Sequence, residues 1–92
     1  MKFVKQTRRN TGSEKFPYAI TFDHGLKELQ NFVEIRNWAW ETFGPGVEYW
    51  VYDTQQDFTS WAWINELHPS RRVRILFKNE QDFVLATLKW KN

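Results

Sequence analysis

The chain has 92 residues, room for one domain with one modest core, and no cysteine to help hold it together. Thirteen basic residues stand against eleven acidic ones, and 18% of the chain is aromatic, in six Trp, eight Phe and three Tyr. These figures exclude a disulfide-rich miniprotein, a collagen-like chain and a highly charged disordered chain. No apolar run approaches the roughly 20 residues that span a bilayer. The polar, basic start has no signal-peptide core, so the expected setting is a reducing, cytoplasmic one without membrane contact.

Charge divides the chain. Residues 1–15 carry Lys2, Lys5, Arg8, Arg9 and Lys15 against Glu14, a net of +4. Residues 16–92 carry 8 basic and 10 acidic groups, a net of −2. Residues 1–15 therefore read as a basic flexible arm and residues 16–92 as a single α+β domain. The bland reading of the arm is a solvated tail. The sharper one gives Lys5, Arg8 and Arg9 to an acidic partner or a nucleic acid.

Residues 18–22 alternate and are β-prone, which predicts a strand. Asp23 sits at an N-cap position before a helix that runs to Phe43, where Gly44 and Pro45 stop it. On the helical wheel Leu26, Leu29, Phe32, Val33, Ala39, Trp40 and Phe43 form one broad apolar face. Residues 47–53 predict a second strand. Residues 58–67 read equally as a strand around Trp61-Ala62-Trp63 or as a helical turn. His68-Pro69-Ser70 is a turn, and residues 72–78 are a strand. Asn79 then caps a helix with an acidic first turn, over residues 83–90 and ending in Lys89 and Lys91; a strand is the alternative. The order β-α-β-(β)-β-α makes a two-layer α+β sandwich, ferredoxin-like minus a strand.

Strand alternation places Tyr18, Ile20 and Phe22, Val47, Tyr49 and Val51, and Val73, Ile75 and Phe77 under the helices. The opposite sheet face then carries Trp50 and Tyr52 beside Arg72 and Arg74. Three readings of that face compete. The 58–67 segment folds over it with Trp61 and Trp63; or it docks a protein, since Trp, Tyr and Arg are enriched at hot spots; or it stacks bases or a nucleotide. Trp38 points away from the apolar arc. It is read as an intermolecular contact, or as covered by the arm with Arg8 or Arg9 stacked on its indole.

Chemistry is hard to find. His24 and His68 lie at predicted turns without a second histidine at ligand spacing, so no metal site is expected. Asp23 beside His24 is explained by a capping turn, and Ser13, Ser60 and Ser70 sit in no nucleophile elbow. Asp53 and Asp57 lack the intermediate ligands of a calcium loop. Gly44-Pro45-Gly46 follows a helix instead of opening one, unlike a phosphate loop. No cofactor and no catalytic residue is expected.

The stretch Val73-Arg74-Ile75-Leu76-Phe77-Lys78-Asn79-Glu80-Gln81-Asp82 through Leu88-Lys89-Trp90 resembles the closing segment of small uncharacterised tailed-bacteriophage proteins. Trp38-Ala39-Trp40-Glu41-Thr42-Phe43-Gly44-Pro45 is similar to their helix end. The resemblance covers about a third of the chain and departs over residues 55–70. It implies a phage-encoded accessory or virion protein, acting by binding a host or viral macromolecule in the host cytoplasm or the virion. The expected function is a non-enzymatic protein-interaction module contacting its partner through Trp38, Trp50, Tyr52, Trp61, Trp63, Arg72 and Arg74. The alternative is single-stranded nucleic-acid or nucleotide binding on the same face. An unpaired sheet edge would permit a homo-oligomer by strand pairing.

Overall fold

A computed structural model describes residues 1–7, 12–50, 54–66 and 72–91, without the side chains of Glu66 and Arg72. The elements are β1 (Lys2–Lys5), β2 (Tyr18–Phe22), α1 (Leu26–Phe43), β3 (Val47–Glu48), a 3₁₀ turn (Gln55–Phe58), β4 (Trp61–Glu66), β5 (Arg72–Phe77) and α2 (Glu80–Trp90). The strands form one sheet in the order β1-β2-β5-β4-β3. Pairing is antiparallel from β1 to β4, and β3 lies parallel to β4 at the far edge. The helices cover one face, which makes the expected two-layer α+β sandwich. β2 and β3 run in the same direction, with β5 and β4 between them: a wide split βαβ unit. The parallel edge pair and the extra strand β1 are what this sheet adds to the ferredoxin-like outline.

β1 is the first correction. The stretch expected to be a free arm pairs along β2 from Lys2↔Thr21 to Lys5↔Tyr18. Phe3 and Val4 explain the strand: each is half-buried, Phe3 against the helix-side core and Val4 against the opposite one. Lys2 and Lys5 are exposed on this edge strand, the residue type that discourages further pairing there.

α1 has the predicted end at Gly44 but begins later than predicted. Gly25 occupies the N-cap with φ +118°, a region only glycine enters readily. Asp23 lies outside the helix, its N–H donating to Glu28 Oε1 at 3.3 Å. The helix is also rolled relative to the wheel. Its buried residues are Phe32, Ile35 and Ala39, while Leu26, Leu29, Val33 and Trp40 from the expected core face are exposed. α2 is a helix with Asn79 at the expected N-cap position, though its side chain donates to Asp82 Oδ2 at 3.4 Å and caps no backbone N–H; Glu80 and Asp82 lie in its first turn and Lys89 in its last.

The helix-side core joins Ile20, Phe22, Val73, Ile75 and Phe77 to Phe32, Ile35, Ala39, Ala86 and Trp61. β2 and β5 thus present the predicted side chains. β3 and β4 do not. Trp61 and Trp63 lie beneath the helices, and Val47 and Tyr49 pack on the other side. The predicted 47–53 strand shortens to Val47–Glu48, with one further ladder bond from Tyr49 N–H to the Trp63 carbonyl at 2.8 Å. Residues 51–53 and the predicted 68–70 turn lie outside the described residues.

The Met1 ammonium pairs with the Glu28 carboxylate, tying β1 to the start of α1. The hydrogen bond from that ammonium, against the opposing effect of desolvation and helped by Asn31 and the Asp23 N–H, holds Glu28 below its ordinary value of 4.5. A carboxylate depressed in the fold adds stability above pH 4.5 and loses it as pH falls through the folded-state value. Glu28→Gln should therefore lower stability at pH 7 by about 0.5–1 kcal/mol. In urea titrations across pH, the gap to the parent should close in acid; a gap constant from pH 7 to pH 3 would contradict this pairing.

Candidate functional site

The sheet face opposite the helices is covered, though not by Trp61 and Trp63 of the 58–67 segment. Residues 12–16 turn tightly: Gly12 sits at φ +81°, and its carbonyl accepts from the Phe16 N–H at 2.8 Å. The turn lays Phe16, fully buried, over a layer containing Ala19, Ala62, Ile64 and Leu76. Tyr49 meets the Phe16 ring edge-on at 6.2 Å, and the Lys78 ammonium lies 5.4 Å from its centroid. Gln6, also buried, donates from Nε2 to the Phe16 carbonyl at 2.6 Å and accepts from Arg74 Nη1 at 3.2 Å. Arg74 is therefore engaged in holding the fold.

The remaining predicted contact residues separate into three groups. Trp61 is fully buried and Trp63 half-buried, with the Arg36 guanidinium 5.5 Å from the Trp63 ring. Trp38, expected outside the apolar arc, is half-buried between the helices, edge-on to Phe43 at 5.2 Å and to Trp90 at 6.1 Å. These three pack within the fold, and the wheel misplaced Trp38 because α1 buries its Phe32, Ile35 and Ala39 side. Trp50 is exposed, at 61%, and Lys5 stands exposed at the end of β1. Tyr52, Arg8, Arg9 and the Arg72 side chain lie outside the described residues.

Trp50 is displayed on a fixed backbone. Gln56 is completely buried. Its Oε1 accepts from the Trp50 N–H at 3.1 Å, and its Nε2 donates to the Trp50 carbonyl at 2.9 Å. One amide side chain thus satisfies both polar groups of one peptide residue, in place of a strand neighbour. This diverts the chain from the β3 ladder. Asp57 adds two ties, a 2.8 Å ion pair with Lys15 and a carbonyl that accepts from Lys78 Nζ at 2.8 Å. Beside it Phe58 is 89% exposed. Sequence reading missed both residues. Gln56 carries no local signal, whereas a lone Phe within the polar run Thr54 to Ser60 was visible and went unused.

Leu26, Leu29, Val33 and Trp40 add an exposed apolar row along α1. Its first turn borders an open hollow of about 280 Å³ lined by Phe22, Asp23, His24, Leu26, Leu29 and Val73. The hollow is apolar apart from its Asp23 and His24 rim. No group of three or more metal-ligating side chains occurs among the described residues. Tyr18 donates to Glu80 at 3.1 Å, and that bond raises the phenol above its usual range. No described helix is long and apolar enough to cross a membrane. No family model, curated protein or solved structure matches the chain.

Replacing Gln56 by Leu leaves the Trp50 N–H and carbonyl without their partner in a part-buried site. The variant should lose about 1–3 kcal/mol in urea unfolding. Amide exchange at Trp50 should rise before global unfolding. Unchanged protection at Trp50 would show that the clamp does not hold this connection.

Proposed function

We propose that the protein is a non-enzymatic interaction module that docks a protein partner through exposed aromatic side chains on fixed supports. The observation that carries this reading is the β3–β4 connection, where Trp50 and Phe58 stand in solvent at 61% and 89% exposure on a backbone tied by Gln56 and Asp57. Large aromatics cost solubility when wet, and a small core does not need them there. Set beside backbone held by Gln56 and Asp57, they meet a partner with little entropy to lose, which is how hot-spot side chains gain affinity. Trp40 on α1, 48% exposed, is the third proposed contact. The resemblance to small tailed-phage proteins supports a viral origin, with a host factor or a viral assembly as partner, in the host cytoplasm or the virion. No observation favours nucleic-acid binding on the sheet face, where Phe16 and Tyr49 are packed.

The test compares the parent with Trp50→Ser/Phe58→Ser and with Trp40→Ser, each used as bait in lysate of the host cell. The unfolding free energy of the double variant should stay within about 0.5 kcal/mol of the parent, as for other surface changes, whereas Trp40→Ser, which also removes the ring packed on Trp61, should cost about 0.5–3 kcal/mol. Affinity for the captured partner should fall by tenfold or more in the double variant, the loss expected on removing hot-spot side chains. Capture of the same partner at the same affinity by both variants would overturn the assignment. So would salt-sensitive binding of single-stranded oligonucleotides by the parent.

A further inference from the structure

The geometry points to α2 as a self-association helix, pairing antiparallel with α2 of a second copy across a two-fold axis. This inference is independent of the docking reading, since α2 carries none of Trp40, Trp50 or Phe58. α2 turns Phe83, Ala86 and Trp90 toward the core. Its opposite side presents Gln81, Val84, Leu85 and Leu88, spaced i, i+3, i+4 and i+7, and all four are exposed. A surface helix normally turns polar residues outward. Here the middle of the outward row is apolar, and Leu88 is 77% exposed.

Charge identifies the occupant. Glu80 and Asp82 lie in the first turn, Lys89 in the last, and Lys91 directly after it. With the axis between positions 85 and 86, antiparallel pairing sets Glu80 opposite Lys91 of the second copy. In the same register Asp82 lies opposite Lys89 of the second copy. Each pair occurs twice by symmetry, as an isologous contact requires. A parallel pair would oppose like charges and align the helix dipoles unfavourably. The antiparallel register also brings Leu88 of the second copy against Val84. There an open hollow of about 480 Å³ is lined by Glu80, Gln81 and Val84. Three apolar side chains per copy fall short of the roughly 800 Å² per partner of a standard interface, so the dimer is weak and exchanges rapidly.

Sedimentation equilibrium of the full chain over roughly 10 μM to 1 mM, the range of weak association, should show a monomer giving way to a dimer. Leu88→Glu should weaken the dimer at least tenfold while the monomer melts as the parent does. Lys91→Glu should weaken it severalfold, and adding Glu80→Lys should restore it. Glu80→Lys alone serves as the control for loss of the Tyr18 bond. Because the chain lacks cysteine, single cysteines report the register. Leu85→Cys, beside the axis, should form a disulfide-linked dimer on mild oxidation. Gln81→Cys should not, since two such positions lie about 13 Å apart along the axis, beyond the ~7 Å reach of a disulfide. Three results would overturn the inference. These are a monomer at every concentration, which would give this row to some other partner; a dimer indifferent to Leu88→Glu, which would place the contact on α1 or the β1 edge; and cross-linking through Gln81→Cys.

Discussion

The indole of Trp61 sits where the sheet, the end of α1 and the entry to β3 meet. It is fully buried, and its Nε1–H donates to the Gly44 carbonyl at 2.8 Å. Trp40 meets the ring edge-on at 6.3 Å, and Trp63 lies 5.5 Å away on the same strand. Gly46 passes so close that a methyl group there would come within 2.5 Å of the ring. Such a contact leaves space only for glycine. Gly44 needs the same residue type for another reason, its φ of +89°. The Gly44-Pro45-Gly46 turn is thereby shaped around one side chain. The carbonyl freed at the helix C-terminus gains a donor, and the chain is delivered to β4 as its parallel neighbour.

That anchor is consistent with both the roll of α1 and the surface it leaves. With the helix end fixed over β4, Phe32, Ile35 and Ala39 face the sheet, and Trp38 fills the space toward Trp90. Trp40 is left half on the Trp61 ring and half in solvent, in line with Leu29 and Val33. On the far side of the sheet the Gly12–Phe16 turn closes what strand alternation would leave bare. Both faces of the sheet are thus occupied among the described residues. The apolar surplus of this aromatic-rich chain therefore stands on the outward rows of the helices and on the tied β3–β4 connection.

Local chemistry made part of this legible. β2 and β5 alternate cleanly between Pro, Asp and Asn signals, and their inward faces and limits follow from the residues, save that β5 ends at Phe77, one residue early. The stop at Gly44 and the helix start after Asn79 were equally readable. The rest depends on contacts between distant residues. Lys2-Phe3-Val4-Lys5 is too short to announce a strand, and its basic ends suggested a tail; pairing with β2 makes it one. Trp61-Ala62-Trp63 alternates, but only the Gly44 carbonyl and Gly46 decide which face receives the indoles. α1 has apolar residues around most of its circumference, so the wheel could not choose between the Ile35 and Val33 sides. Of the candidate surface, Trp50 was named from an alternation that β3 inverts, and its exposure follows instead from the Gln56 bonds that take it off the ladder. Phe58 and the Gln56 clamp were missed because a side chain closing on a backbone six residues away leaves no periodic trace.

Two tryptophans differ most sharply in what the fold asks of them: Trp61, fully buried, fixes it, whereas Trp50, the proposed contact, stands outside it. Urea unfolding of Trp61→Ala and Trp50→Ala, measured side by side with the parent, tests this difference most directly. Losing the buried indole should cost about 3–5 kcal/mol or abolish folding, whereas losing the exposed one should stay within about 0.5 kcal/mol. Equal losses at the two positions, or a larger loss at Trp50, would contradict the account.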